Sequence, residues 1–88
     1  MNNQRRKALA EIGDSLTEIM PALEEHLDAL RSIQEEEEEA YDNMPEGLQM
    51  GERGEMSQAA IEAMSEALDA LDNFITASVQ DAIERAAE

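Results

Sequence analysis

Leucine recurs with a seven-residue spacing at Leu9, Leu16, Leu23 and Leu30, and a second row follows three residues behind it at Ile12, Ile19, His26 and Ile33. The alternation of threes and fours continues through Glu37, Ala40 and Met44, which predicts the seam of a packed α-helix. Met20, Leu27 and Tyr41 widen that stripe, so the helix is expected to have more than one neighbour. A helix over residues 3–43 would be roughly 60 Å long at the α-helical rise per residue. Pro21 lies within it and cannot donate the backbone hydrogen bond to Thr17. Because the apolar register stays in phase across Pro21, a kinked but continuous helix is expected in place of a break.

The second half repeats the pattern. Ile61, Met64, Leu68, Leu71, Ile75 and Val79 form a stripe completed by Ala82, Ile83 and Ala86, with Ala60, Ala67 and Phe74 broadening one side. A second continuous helix over residues 52–87 follows. Between the two, Pro45 disfavours helical geometry at Met44, and Gly47 and Gly51 supply turn freedom over 44–51. Glu52 and Glu55 suit the positive end of the second helix dipole. No alternation of strand type occurs. The expected fold is therefore all-α, a single domain over 1–88 built as a two-helix antiparallel hairpin.

Such a hairpin can be put in register. With the turn near Gly47 and Leu48, residue numbers facing each other should sum to about 95. This sets Ile12 by Ile83, Leu16 by Val79, Leu23 by Leu71 and Asp72, and Ile33 by Ile61. His26 approaches Asp69 and Asp72, Glu37 faces Gln58 as a polar layer, and Arg53 comes near Asp42. The dimer or hairpin core comprises Leu16, Ile19, Leu23, Leu27, Leu30 and Ile33 with Met64, Leu68, Leu71 and Ile75. One Tyr and one Phe are the only aromatic residues. A domain this small buries only about 60% of its unfolded surface, so a lone hairpin would be marginal. Homodimerisation into a four-helix bundle or coiled coil is the simplest way to cover the remaining stripe.

Charge decides the partner. Asp and Glu number 22 against six Lys and Arg, a net charge of −16. That balance repels nucleic acid and anionic membranes and attracts basic protein surfaces. No direct nucleic-acid or membrane contact is expected, and the opening MNNQRRKALAEIGDSL is neither a signal peptide nor a transmembrane segment. The chain has no cysteine, which fits a cytoplasmic protein and excludes disulfides and thiolate metal sites.

The stretch EEEEEAYDNMPEGLQMGERG, residues 35–54, resembles a set of small acidic proteins encoded by bacteriophages and prophages. The resemblance implies a helical hairpin and a bacterial host cytoplasm. It carries no catalytic residues over. In this stretch Tyr41, Met44, Leu48 and Met50 would close the apolar end of the hairpin.

The remaining polar residues offer little chemistry. The run Glu35–Glu39 splays from a straight helix and lacks the bent, glycine-containing loop that a Ca²⁺ site needs, so no metal or other cofactor is expected. His26 has no nucleophile, oxyanion donor or second histidine near it, so a hydrogen-bonded boundary role fits better than catalysis. Met20, Met44, Met56 and Met64 read as core fillers. Arg5, Arg6 and Lys7 form too short a patch for nucleic acid and instead neutralise acids at the C-terminal end. No enzyme activity is expected.

Two functions compete. In the first, Glu24, Glu25, Asp28, Glu35, Glu36, Glu38 and Glu39 bind the basic surface of a host nucleic-acid-binding or defence protein and inhibit it by copying the charge of DNA. In the second, the chain is a structural or adaptor module that meets its partner through the apolar helix face, and the acids keep it dissolved.

Overall fold

Asn2 opens the first helix: its side-chain oxygen accepts from the Arg5 N–H at 2.9 Å, satisfying one of the unpaired donors of the first turn. From there the computed structural model, which describes residues 2–88, holds α1 (Asn3–Asp42), α2 (Glu46–Gln49), α3 (Glu52–Thr76) and α4 (Val79–Ala87). Among the described residues there is no strand, so the fold is all-α. Met1 of the expected 1–88 domain lies outside them.

α1 runs without interruption through Pro21. The proline leaves the Thr17 carbonyl without its helical donor. Both residues are exposed, so water can take that place, and the Thr17 hydroxyl bonds the Gly13 carbonyl at 3.0 Å. The helix ends at Asn43, whose N–H still reaches the Glu39 carbonyl, just before Pro45. The expected turn over 44–51 contains the single helical turn α2, closed by Leu48 and Gln49 N–H bonds to the Pro45 carbonyl. Leu48 and Met50 are exposed and do not close the apolar end; Tyr41 and Met44, both half-buried, occupy that position.

α3 starts at Gly51 with Glu52 and Glu55 in its first turn, as the dipole favours. Its start is pressed onto α2. A Cβ built at Gly54 would lie 1.9 Å from the Gln49 carbonyl oxygen, so only glycine fits there.

The second helix is not continuous to residue 87 as the periodicity implied. It breaks at Ser78, which adopts a left-handed conformation with φ 51° and ψ 55°. The break has a packing reason. The Ile61–Leu68–Ile75 and Met64–Leu71 rows, extended uninterrupted, would bring Ala82 and Arg85 to the seam. Rephased at Ser78, α4 turns Val79, Ile83 and Ala87 inward and leaves Arg85 exposed.

α3 and α4 return along α1 in the opposite direction. A Cβ built at Gly13 would lie within 4 Å of Ile83, Glu84 and Gln80, Gln34 bonds Ile61 and Ser65, and Glu37 bonds Ser57. The resulting rod measures 66 × 18 × 14 Å.

The seam differs from the expected one in its second row. The Leu9–Leu16–Leu23–Leu30 row is half-buried as read, but its companion is Gly13, Met20, Leu27 and Gln34. Ile12, Ile19, His26 and Ile33 lie on the far flank and are exposed. Ile33 therefore does not meet Ile61; the neighbouring Gln34 does, donating to the Ile61 carbonyl at 3.2 Å and to the Ser65 hydroxyl at 2.6 Å. The core is thin. Met20, Leu27 and Leu68 are its buried apolar side chains, while Leu16, Leu23, Leu30, Met64, Leu71 and Ile75 are half-buried.

Candidate functional site

The seam determines what each flank of the rod presents. On α1, the residues one position after the leucine row are Thr17, Glu24, Arg31 and Glu38, and they fall on one flank. On α3, the corresponding residues after Ser57, Met64 and Leu71 are Gln58, Ser65 and Asp72. These flanks come together: Arg31, Glu35 and Glu38 of α1 and Ser65, Asp69 and Asp72 of α3 line one open groove of about 300 Å³. The opposite flanks carry Ile12, Ile19, His26 and Ile33 from α1 and Ala60, Ala67 and Phe74 from α3.

Charge is sorted by this geometry. Glu24, Glu25, Asp28, Glu35, Glu38 and Glu39 all fall on the grooved side or on the back of α1, and all are exposed. Glu36 is also exposed but points to the isoleucine side, one helical position away from the others. α3 adds acids that the pattern along α1 does not reveal, Asp69 and Asp72 above all. Their spacing, on the same flank of a heptad as Ser65 and Gln58, was the available signal.

Few cations offset these acids. Among the described residues one ion pair closes, Arg31 Nη1 to Asp28 Oδ1 at 3.7 Å, with both side chains at least half exposed. Such a pair contributes between zero and about 1 kcal/mol. Arg53 does not close on Asp42, and Arg5, Arg6, Lys7 and Arg85 close on no acid. Apart from Asp28, the acids on this side of α1 thus stand exposed and unpaired.

The polar layer at the turn end is built differently from the expected one. Glu37 accepts a 2.6 Å hydrogen bond from the Ser57 hydroxyl, and Ser57 is only 4% exposed. Gln58 instead donates to the Tyr41 hydroxyl oxygen at 3.0 Å, and Gln49 donates to the Tyr41 carbonyl at 2.8 Å. These bonds tie α2 and the start of α3 to the end of α1, beside the glutamate run. His26 does not meet Asp69 and Asp72: it lies on the opposite flank from the groove they line.

Among the described residues no group of three or more His, Asp or Glu side chains converges as a metal site would. No helix of the described residues is long and apolar enough to cross a membrane. Compared with known proteins, the chain matches no family model, no curated protein and no solved structure.

Proposed function

We propose that this chain is a helical hairpin that binds the basic surface of another protein through its acidic flank, occupying a site built for nucleic acid. The observation that carries this reading is the linear density of exposed acids. A net charge of −16 spread along 66 Å is about one charge per 4 Å. One strand of duplex DNA carries a phosphate charge about every 3.4 Å. The rod as a whole therefore carries nearly the charge per unit length of one nucleic-acid strand, and a groove lined with Lys and Arg would meet the part of it that the eight acids named below concentrate on one side. Its counterions would be released in the same way. The side chains involved are Glu24, Glu25, Asp28, Glu35, Glu38 and Glu39, with Asp69 and Asp72 from the returning helix. The phage-like stretch 35–54 makes a host nuclease, defence effector or transcription protein in the bacterial cytoplasm the natural target.

A salt-stepped affinity capture from bacterial lysate tests this. The expected result is a partner released steeply as salt rises, displaced by competing duplex DNA, and lost when the six α1 acids are replaced by Gln or Asn. Retention that is indifferent both to salt and to competing DNA would overturn the reading.

One observation favours a second reading, an adaptor that engages its partner through apolar contacts. Ile12, Ile19, Ile33 and Phe74 are 51%, 47%, 54% and 42% exposed on a flank that none of the described residues covers. That mode predicts binding insensitive to salt and to the acid substitutions, but abolished by a charge at Ile19.

A further inference from the structure

We infer that the flank bearing Ile12, Ile19, Ile33 and Phe74 is the docking surface for a second copy of this chain, the two copies running antiparallel. The inference is independent of the proposed acidic contact, because it uses the opposite side of the rod.

Three observations converge on self-association. The first is area. The chain exposes 6439 Å². A compact monomer of its 9.8 kDa mass would expose roughly 5,200 Å², so about 1,200 Å² or more is in excess. Stable interfaces bury about 800 Å² per partner and obligate ones upwards of about 1,000 Å². A flank 66 Å long and 14 to 18 Å wide has room for either.

The second is the missing core. Among the described residues no large side chain is fully enclosed, and three buried apolar residues must serve the rod. A second apolar layer over the isoleucines would turn a two-helix seam into a four-helix core. Ala60 and Ala67 on α3, with Ala22 and Ala29 beside the isoleucine row on α1, allow the close helix approach such packing needs.

The third is the distribution of charge, which also identifies the occupant. With 22 acids in the chain, the residues on this flank along α1 and α3 include a single carboxylate, Glu36. A basic partner would gain from acids here, whereas a copy of the same chain would be repelled by them. Clearing one flank of acid suits a meeting of like-charged molecules.

The antiparallel arrangement follows from symmetry and from the rod ends. An isologous two-fold axis through the middle of α1 sets Ile12 against the partner's Ile33 and Ile19 beside the partner's His26. It brings Phe74, near mid-rod, close to its own copy. It also lays the Arg5–Arg6–Lys7 end of one copy beside the Glu35–Glu39 end of the other, where a parallel pair would stack like charges. Both acidic flanks then face outward on one rod.

Sedimentation equilibrium of the full chain, from about 1 to about 100 µM, reads the association directly. The expected result is twice the chain mass. Ile19→Asp combined with Ile33→Asp should weaken the dimer by at least ~100-fold, since each buries a charge against apolar surface. Both positions are half exposed within the chain, so its own seam is untouched, and Glu18→Gln on the back of α1 should leave the dimer unchanged. Cysteine pairing covers the case in which those variants fail to fold, because the chain contains no other thiol. A mixture of Ile12→Cys and Ile33→Cys proteins should join on oxidation, whereas Ile12→Cys alone and Glu25→Cys should not. A monomeric mass with intact helicity at the highest concentration overturns the proposal and leaves the flank to a different protein. Efficient joining of Ile12→Cys to itself overturns the antiparallel arrangement.

Discussion

Gly54→Ala is the substitution whose outcome the structure constrains most tightly. Two effects oppose each other. Alanine in a helix interior is favoured over glycine by about 1 kcal/mol. Against that, the new methyl would lie 1.9, 2.4 and 2.6 Å from the oxygen, carbon and Cα of Gln49, all backbone atoms that no rotamer change can remove. Real Cβ contacts essentially never fall below 3.0 Å, so α2 would have to retreat by about 1 Å. Overpacking of this kind costs up to about 3 kcal/mol. The local escape is to peel α2 away, losing the Gln49–Tyr41 bond and loosening Ser57 from Glu37, which costs a similar amount. The clash wins, and a net loss of about 2 kcal/mol is expected. Gly47→Ala is the matched control: a Cβ there meets nothing within 4 Å, so the change should be neutral or stabilising by up to about 1 kcal/mol. The two variants should differ by roughly 3 kcal/mol, or on the order of 12–24 °C in melting temperature for a domain of this size. Far-UV circular dichroism melts at one fixed protein concentration measure it. If Gly54→Ala melts at or above the temperature of the parent, the close approach of α2 to α3 is wrong.

Two further substitutions probe the other local devices. Ser78→Gly should raise stability by up to about 1 kcal/mol, because a left-handed conformation costs a side-chain-bearing residue but not glycine; denaturant melts that show a clear loss would count against the break between α3 and α4. Ser57→Ala should cost about 1.5–3 kcal/mol, since it removes the hydroxyl donor of the half-buried Glu37 carboxylate; adding Glu37→Gln should recover little of that loss, and a single variant indistinguishable from the parent in urea would refute the bond.

Much of this architecture could be read from spacing alone. The leucine row, the helix end before Pro45 and the restart near Glu52 depend on local chemistry: periodic side chains, a residue that cannot donate, and acids at a positive dipole end. Continuity through Pro21 was legible for the same reason, since the apolar phase does not slip there. The break at Ser78 carried no such mark, having neither glycine nor proline. It arises because the last nine residues must rotate to face α1, a demand made by the partner helix and not by the segment itself. The Ser57–Glu37 bond was displaced by one residue from the expected Gln58 layer, which is within the reach of small shifts in how two helices interlock. Of the acidic flank, the α1 contribution was visible from the density of glutamates. The α3 contribution needed the groove to show that Asp69 and Asp72 share a side with Glu35 and Glu38.

The amino-acid sequence by itself determined that this chain is helical, where its first helix ends and the next long one begins, and that its acids cluster away from an apolar stripe. Besides the break at Ser78, it left one choice open. The leucine row of α1 is flanked by two apolar rows, Ile12–Ile19–Ile33 on one side and Met20–Leu27 on the other, and helical periodicity admits either as its companion. Only the tertiary structure decided that Gly13, Met20, Leu27 and Gln34 face the returning helices. Gly13 admits α4 at close range, and Gln34 can bond across to Ile61 and Ser65, whereas Ile12 and Ile33 offer neither. A periodic pattern sets the angle of a side chain about its own helix axis. Which of two suitable angles becomes interior depends on contacts with residues far along the chain. In this protein that choice turned one apolar row inward and left the other facing outward.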